Sequence, residues 1–293
     1  MSDTQSQPGI PRHRRRWLQF GTRTLLLVVL ICAIPCSWLA IKIDRARKQQ
    51  AAVAKLMTLH GSAHFDYETG DPIVGLDTPT PPGPPWLREF LGTDLFGRVI
   101  RAGAQNDASM ACLTAMPHLR DLYLYGEITD VGLQQLDALP QLTGMEIHSD
   151  RVTDTGLAHL KNLSRLQALK LWGKQPTDAG LKHLEGLNQL EVLRLRLPEM
   201  TDAGLEHIRG LTQLQELDLS QTPITDEGMR HLQGLKQLHT LQLSGTGVTD
   251  KGLEHLHGLP QLRILVLYTM GSQISNQGVK RLQEALPNCK VQW

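Results

Sequence analysis

Two hundred and ninety-three residues is about two domains' worth of chain, with an ordinary apolar fraction of 41% and an aromatic fraction of only 4%. A formal net charge of +1 excludes a surface built throughout for nucleic acid, and four cysteines, none in a C-x-x-C pair, exclude a disulfide framework and a zinc ribbon. The neutral total hides two electrostatic objects: residues 1–55 carry 10 Lys/Arg against 2 Asp/Glu, net +8, and residues 56–293 carry 20 against 27, net −7.

The first predicted element is a membrane span. Arg12, Arg14, Arg15, Arg16 and Arg23 precede an 18-residue uncharged run, Thr24 to Ile41, which Lys42, Arg45, Arg47 and Lys48 follow. As a helix the run is about 27 Å long, close to the ~30 Å hydrocarbon core of a bilayer. Pro35 is tolerated in a spanning helix, and Trp17 and Trp38 sit where indole rings prefer the interface. A cleaved signal peptide fits less well, since Cys36-Ser37-Trp38-Leu39-Ala40 offers poor small residues at the cleavage positions. A lipoprotein signal fails likewise, with Ile31 before Cys32 and Pro35 before Cys36, while Arg14-Arg15-Arg16-Trp17-Leu18 loosely resembles a twin-arginine signal. Five arginines before the run against four basic residues after it tilt the orientation to a cytoplasmic amino terminus with the repeats outside. The expected organisation is a basic terminus over 1–23, a transmembrane helix over 24–41, and a juxtamembrane helix, Pro-rich connector and cap over 42–91. Val53, Leu56 and Met57 form its helical stripe, residues 70–85 read as a stiff connector, and Trp86, Leu87, Phe90 and Leu91 are placed to cover the first repeat.

From there the chain repeats itself. Thr-Asp recurs at 129–130, 153–154, 177–178, 201–202, 225–226 and 249–250, every 24 residues, each followed by x-Gly-Leu or x-Gly-Met. A seventh copy, Ser275-Asn276-Gln277-Gly278, follows an insertion near Gly271, and a degenerate first copy reads at Phe96/Val99 with Asp107. Between them lies L-x-x-L-x-L, as in Leu190/Leu193/Leu195 and Leu214/Leu217/Leu219, giving about eight units over 92–286 and a final capping strand over 287–293. L-x-x-L-x-L predicts a short strand with inward leucines, Thr-Asp a helix start in which one of the two oxygens caps free N–H groups, and Leu181, Leu184 and Leu187 a helix face turned to the same core.

These residues resemble the leucine-rich repeat family, in the T-D-x-G-L form found in bacterial leucine-rich repeat proteins and in the repeats of F-box receptors. A basic spanning segment ahead of them is similar to anchored bacterial members. The resemblance implies an α/β solenoid, a horseshoe with a parallel sheet on its concave face and helices on its convex face, here preceded by one transmembrane helix. The usual Asn after the strand is absent: Thr222 and Thr246 replace it in two units and Asp150, Lys174 and Pro198 in others, so an irregular inner ladder is expected, with a local distortion at Pro198.

Candidate chemistry must be weighed against duplication. His159, His183, His207, His231 and His255 recur every 24 residues, each expected to stand alone on its own turn, too far from the next to share a metal. The Asp ladder invites calcium or acid–base chemistry, but helix capping accounts for it, and no nucleophile elbow, phosphate loop or H-E-x-x-H is present. No catalysis, cofactor, metal or nucleic acid is therefore expected. One distribution stands out: Tyr123, Tyr125, Trp172 and Tyr268, the only aromatics between Leu119 and Leu286, all fall on concave positions. With His148, Lys170, Arg194, Arg196 and Asp218 they form the expected surface for a protein or peptide, since Tyr, Trp and Arg dominate binding hot spots. Cross-strand pairing of Glu146 with Lys170, and of Arg194/Arg196 with Asp218/Glu216, is the competing account of the charges. Two other functions remain open: a self-associating structural protein of the cell envelope, and an F-box-type ubiquitin-ligase receptor without a visible F-box.

Overall fold

The structure, a computed structural model, describes residues 22–66, 97–268 and 274–293. The chain forms two compact units, Met1–Arg45 and Ala46–Trp293. Helix α1, Thr22–Thr58, carries the uncharged run and then turns polar. Among the described residues no helix is long and apolar enough to cross a membrane. The side chains of residues 22–32 and 35, most of the expected span, lie outside the described residues. Those that are described along the rest of the run stand open: Ile34, Trp38, Leu39 and Ile41 are all exposed, and Lys42 Nζ lies 4.5 Å above the Trp38 ring. The connector over 70–85 and the proposed cover by Trp86, Leu87, Phe90 and Leu91 also lie outside the described residues.

The second unit begins with a cap that the sequence only half discloses. Leu56 is completely buried and Val53 packs partly beneath it, but Met57 faces outward, a correction to the expected stripe. Strand β1, Ser62–Phe65, was not anticipated; it pairs antiparallel with β2, Val99–Asn106, and so covers the open edge of the first repeat. Gln49 Nε2 donates to Gly97 O at 3.2 Å, tying α1 to the same edge.

Eight further strands follow: β3 (Asp121–Glu127), β4 (Gly144–His148), β5 (Ala168–Trp172), β6 (Val192–Arg196), β7 (Glu216–Asp218), β8 (Thr240–Gln242), β9 (Ile264–Val266) and β10 (Lys290–Gln292). The ten described strands form one sheet in chain order, parallel from β2 onward. Leu193, Leu195, Leu217 and Leu241 are fully buried, so the L-x-x-L-x-L leucines point inward. In four units the helix is four residues in α form, such as Asp178–Leu181, followed by a 3₁₀ turn such as Lys182–Leu184, while Asp202–Ile208 stays α-helical over seven residues. Three residues per turn suits leucines spaced by three, and Leu181, Leu184 and Leu187 are all buried. At Pro198 β6 keeps its five-residue register with β5, and only its pairing with β7 is shorter, ending at Arg194↔Asp218.

The Thr-Asp pair divides its labour differently from the expectation. Thr is the cap: Thr153 Oγ1 accepts from Thr155 N–H at 3.2 Å. Asp reaches forward into the next unit. Asp130 accepts from Thr153 N–H at 2.8 Å and from the Thr153 hydroxyl at 2.6 Å, and the pattern recurs from Asp107–Thr129 to Asp226–Thr249. The hydroxyl thus donates backward and accepts forward, coupling the cap to the tie. The invariant spacing to Gly follows: a Cβ at Gly156 would overlap Asp130 Oδ1, as would one at Gly180 on Asp154.

The last tie is acid-sensitive. Asp250 accepts from the Ser275 hydroxyl at 2.5 Å and its N–H at 2.7 Å, and these bonds, the hydroxyl foremost, hold its carboxyl below the ordinary value. A depressed folded pKa stabilises above the unfolded value and is lost as pH falls through the folded one. Protection of the Ser275 amide from hydrogen exchange is therefore expected to fall on acidification below about pH 4, and Asp250→Asn to abolish that dependence. Equal acid sensitivity in the Asn variant would sink the assignment.

Candidate concave-face site

Side chains at alternate positions of β3–β6 project from the concave face, and the register aligns Tyr125, His148, Trp172 and Arg196 as direct neighbours across four strands. The Tyr125 and His148 ring centroids are 5.0 Å apart, those of His148 and Trp172 3.6 Å, and Arg196 Cζ lies 5.9 Å from the Trp172 ring. Sequence spacing had placed them in one row; the structure makes the row a continuous stack.

Glu146 organises it. Its Oε1 accepts from the Tyr125 hydroxyl at 3.3 Å and lies 2.9 Å from His148 Nε2, while Oε2 accepts from Lys170 Nζ at 3.0 Å. Burial, followed by the Glu146 charge, raises the Tyr125 pKa. Burial lowers that of His148, against the pull of Glu146 and with the help of Lys170 and Arg196. The imidazole, tilted 45° to Tyr125 and 58° to Trp172, is thereby biased toward its neutral form. Glu146 entered the sequence analysis only as a pairing partner; its place two residues before His148 on one strand face was the signal for a larger role.

The other charges are largely spent within the face. Arg194 Nε donates to Glu216 Oε1 at 2.8 Å, and Arg101 Nε to Asp121 Oδ2 at 2.9 Å. Asp218, expected to be available to a ligand, is only 4% exposed, because its Oδ1 turns back to accept from Ser220 N–H at 2.9 Å. Tyr123 lies half-buried on β3, and Tyr268 is well exposed beside β9, four strands from Trp172 and outside the stack. Among the described residues Trp172 Nε1–H has no hydrogen-bond partner.

The inner ladder is irregular, as the missing Asn implied. Thr222 and Thr246 donate to carbonyls of their own units, Leu219 O at 2.5 Å and Leu243 O at 2.8 Å, while Lys174 Nζ meets Asp150 at 2.7 Å on the rim. Ser149, unremarked in the sequence, reaches the preceding unit at Ile128 O, 2.7 Å away. On the convex side His159 Nδ1 lies 3.1 Å from Asp137 and His207 Nδ1 2.7 Å from Glu185, each the carboxylate one unit back. Among the described residues no group of three His, Cys, Asp or Glu could hold a metal ion.

A family model for the leucine-rich repeat matches residues 210–232 and 236–256. Among solved structures the chain is similar to an internalin (inlF) from Listeria monocytogenes, at 25% identity and a TM-score of 0.51, over 62% of this chain. It spans about half of that structure, 49% of its length. An internalin C2 (inlC2) from the same organism matches at 25% identity and a TM-score of 0.51, over 66% of this chain and 80% of its own. No curated protein matches. The comparisons agree with the ladder of buried leucines and the parallel sheet on which the stack is mounted.

Proposed function

We propose that this chain, which is a leucine-rich repeat protein, acts as a membrane-anchored, non-catalytic scaffold that binds a protein or peptide on the concave face of its sheet. The observation that carries the reading is the Tyr125–His148–Trp172–Arg196 stack, the rings of three strands and the guanidinium of a fourth gathered in register on the one face they share. The carboxylates of that face are already accepting: Glu146 from three groups, Glu216 from Arg194 and Asp218 from a backbone N–H. That arrangement favours recognition over acid–base work. Anchoring rests on the uncharged run 24–41 within α1, on its open apolar side chains, and on Lys42 reaching over Trp38, a pairing suited to a headgroup interface. The amino terminus is cytoplasmic and the repeats lie outside.

Full chain carrying Tyr125→Ala, Trp172→Ala and Arg196→Ala is expected to fold and to lose the partners that wild type retains in pull-downs from membranes. Undiminished capture by the folded triple variant would overturn the concave-face reading. Protease added to intact cells is expected to cleave the repeats; a protected domain would reverse the orientation.

A further inference from the structure

Beyond the stack, the concave face falls into a trough of about 620 Å³ between β6 and β9. Its floor, over β7 and β8, carries short polar side chains such as Ser220, Thr240 and Ser244. Ile264 and Tyr268 on the far wall are among the exposed large apolar side chains, 37% and 59% accessible. Arg196 forms the near wall.

Arg196 is unusual in what its neighbours leave it. Glu216, one strand away, holds Arg194 in two contacts, at 2.8 and 2.6 Å. Asp218 is turned to Ser220 N–H, and Glu146 is filled by Tyr125, His148 and Lys170. Among the described residues, the side-chain contact Arg196 keeps is the Trp172 face at 5.9 Å, so a planar cation with five donors stands at the edge of an open recess. The group that such a fork recognises best is a carboxylate, gripped through two parallel N–H bonds.

Geometry restricts the rest of the ligand. From β6 to β9 is three strand spacings, about 14 Å, and an extended chain advances about 3.3 Å per residue. Side chains four residues apart therefore reach both walls, and with a period of two both face the floor. The hydroxyls and amides of the floor suit an extended backbone, whose N–H and C=O groups need partners; a helix has satisfied its own. Resting on the concave-face reading above, we propose that this trough binds an extended peptide segment whose Asp or Glu engages Arg196 and whose apolar residue four positions away packs on Tyr268.

The test is panning of a random nonapeptide display library on the full chain in detergent micelles. The expected pool carries Asp or Glu four residues from Leu, Ile or Phe. A synthetic peptide from it is expected to lose about tenfold in affinity on Arg196→Gln and on Tyr268→Ala, and to weaken as salt rises. Lys161→Gln, which removes an equal charge from the convex side, is expected to leave binding unchanged. A pool without carboxylates, binding indifferent to Arg196→Gln, or no enrichment overturns the proposal. Peptides that respond to Tyr125→Ala but to neither trough variant would overturn it while leaving the concave-face reading standing; peptides indifferent to all of these variants would overturn both.

Discussion

Asp130→Ala is expected to lower the unfolding free energy by about 2–3 kcal/mol, since the carboxylate makes two charge-assisted bonds to Thr153, each worth about 1.5–3 kcal/mol when well shielded and less at this half-exposed site. Gly156→Ala is expected to cost about 1–3 kcal/mol as an overpacking change, because the new Cβ lands on Asp130 Oδ1 and the tie must open to admit it. The double variant should then cost little more than the worse single, since each change breaks the same tie; the closest other neighbour of the added methyl is Leu133 Cδ1, at 3.0 Å. Urea unfolding of the four chains closes the cycle. Strictly additive losses would show that glycine is required there for some reason other than room for the preceding unit's aspartate. A solenoid joined only by neighbours also predicts a broadened transition in the variants, as the units on either side uncouple.

Trp172→Ala is expected to be the most damaging single change to partner binding, a loss of about 2 kcal/mol or roughly thirtyfold in Kd. Trp172 touches both His148 and Arg196, so its removal takes away a contact surface and also frees the two groups it positions. Stability should change far less, because the ring stands on the concave face and the leucines beneath it, Leu169 and Leu171, stay buried. Trp172→Phe keeps an aromatic face beside His148 and should restore most of the affinity. Comparable binding by Trp172→Ala and wild type, measured by titration calorimetry with a partner recovered from membranes, would remove the stack from the interface.

The period, the inward leucines and the alignment of the concave row were legible because each follows from spacing: 24 residues between units, two between side chains on one strand face. What spacing could not express was direction. Asp130 is the first residue of its own helix and lies 23 residues from Thr153, and either setting is compatible with a hydrogen-bonded carboxylate; only Gly156, three residues after Thr153 and buried where a side chain would collide with Asp130, discriminates. Asp218 misled for a related reason, since position alone makes it concave while a turn at Ser220 draws it inward. Strand β1 was hidden because its partner β2 begins more than thirty residues later, and Ser62-Ala63-His64-Phe65 is too short to advertise a pattern.

The forward reach of each aspartate bears on how such a chain can change in length. Both halves of the tie travel in one Thr-Asp dipeptide: Thr donates to the aspartate behind it and Asp accepts from the threonine ahead. Excising residues 154–177 would join Thr153 directly to Asp178, restoring a Thr-Asp pair whose threonine still meets Asp130 and whose aspartate still meets Thr201. Whole units are therefore interchangeable parts with a standard coupling. Gaining or losing one moves the walls of the binding surface apart or together by a single strand spacing, about 4.8 Å, so reach can be tuned in fixed steps while every joint remains chemically the same.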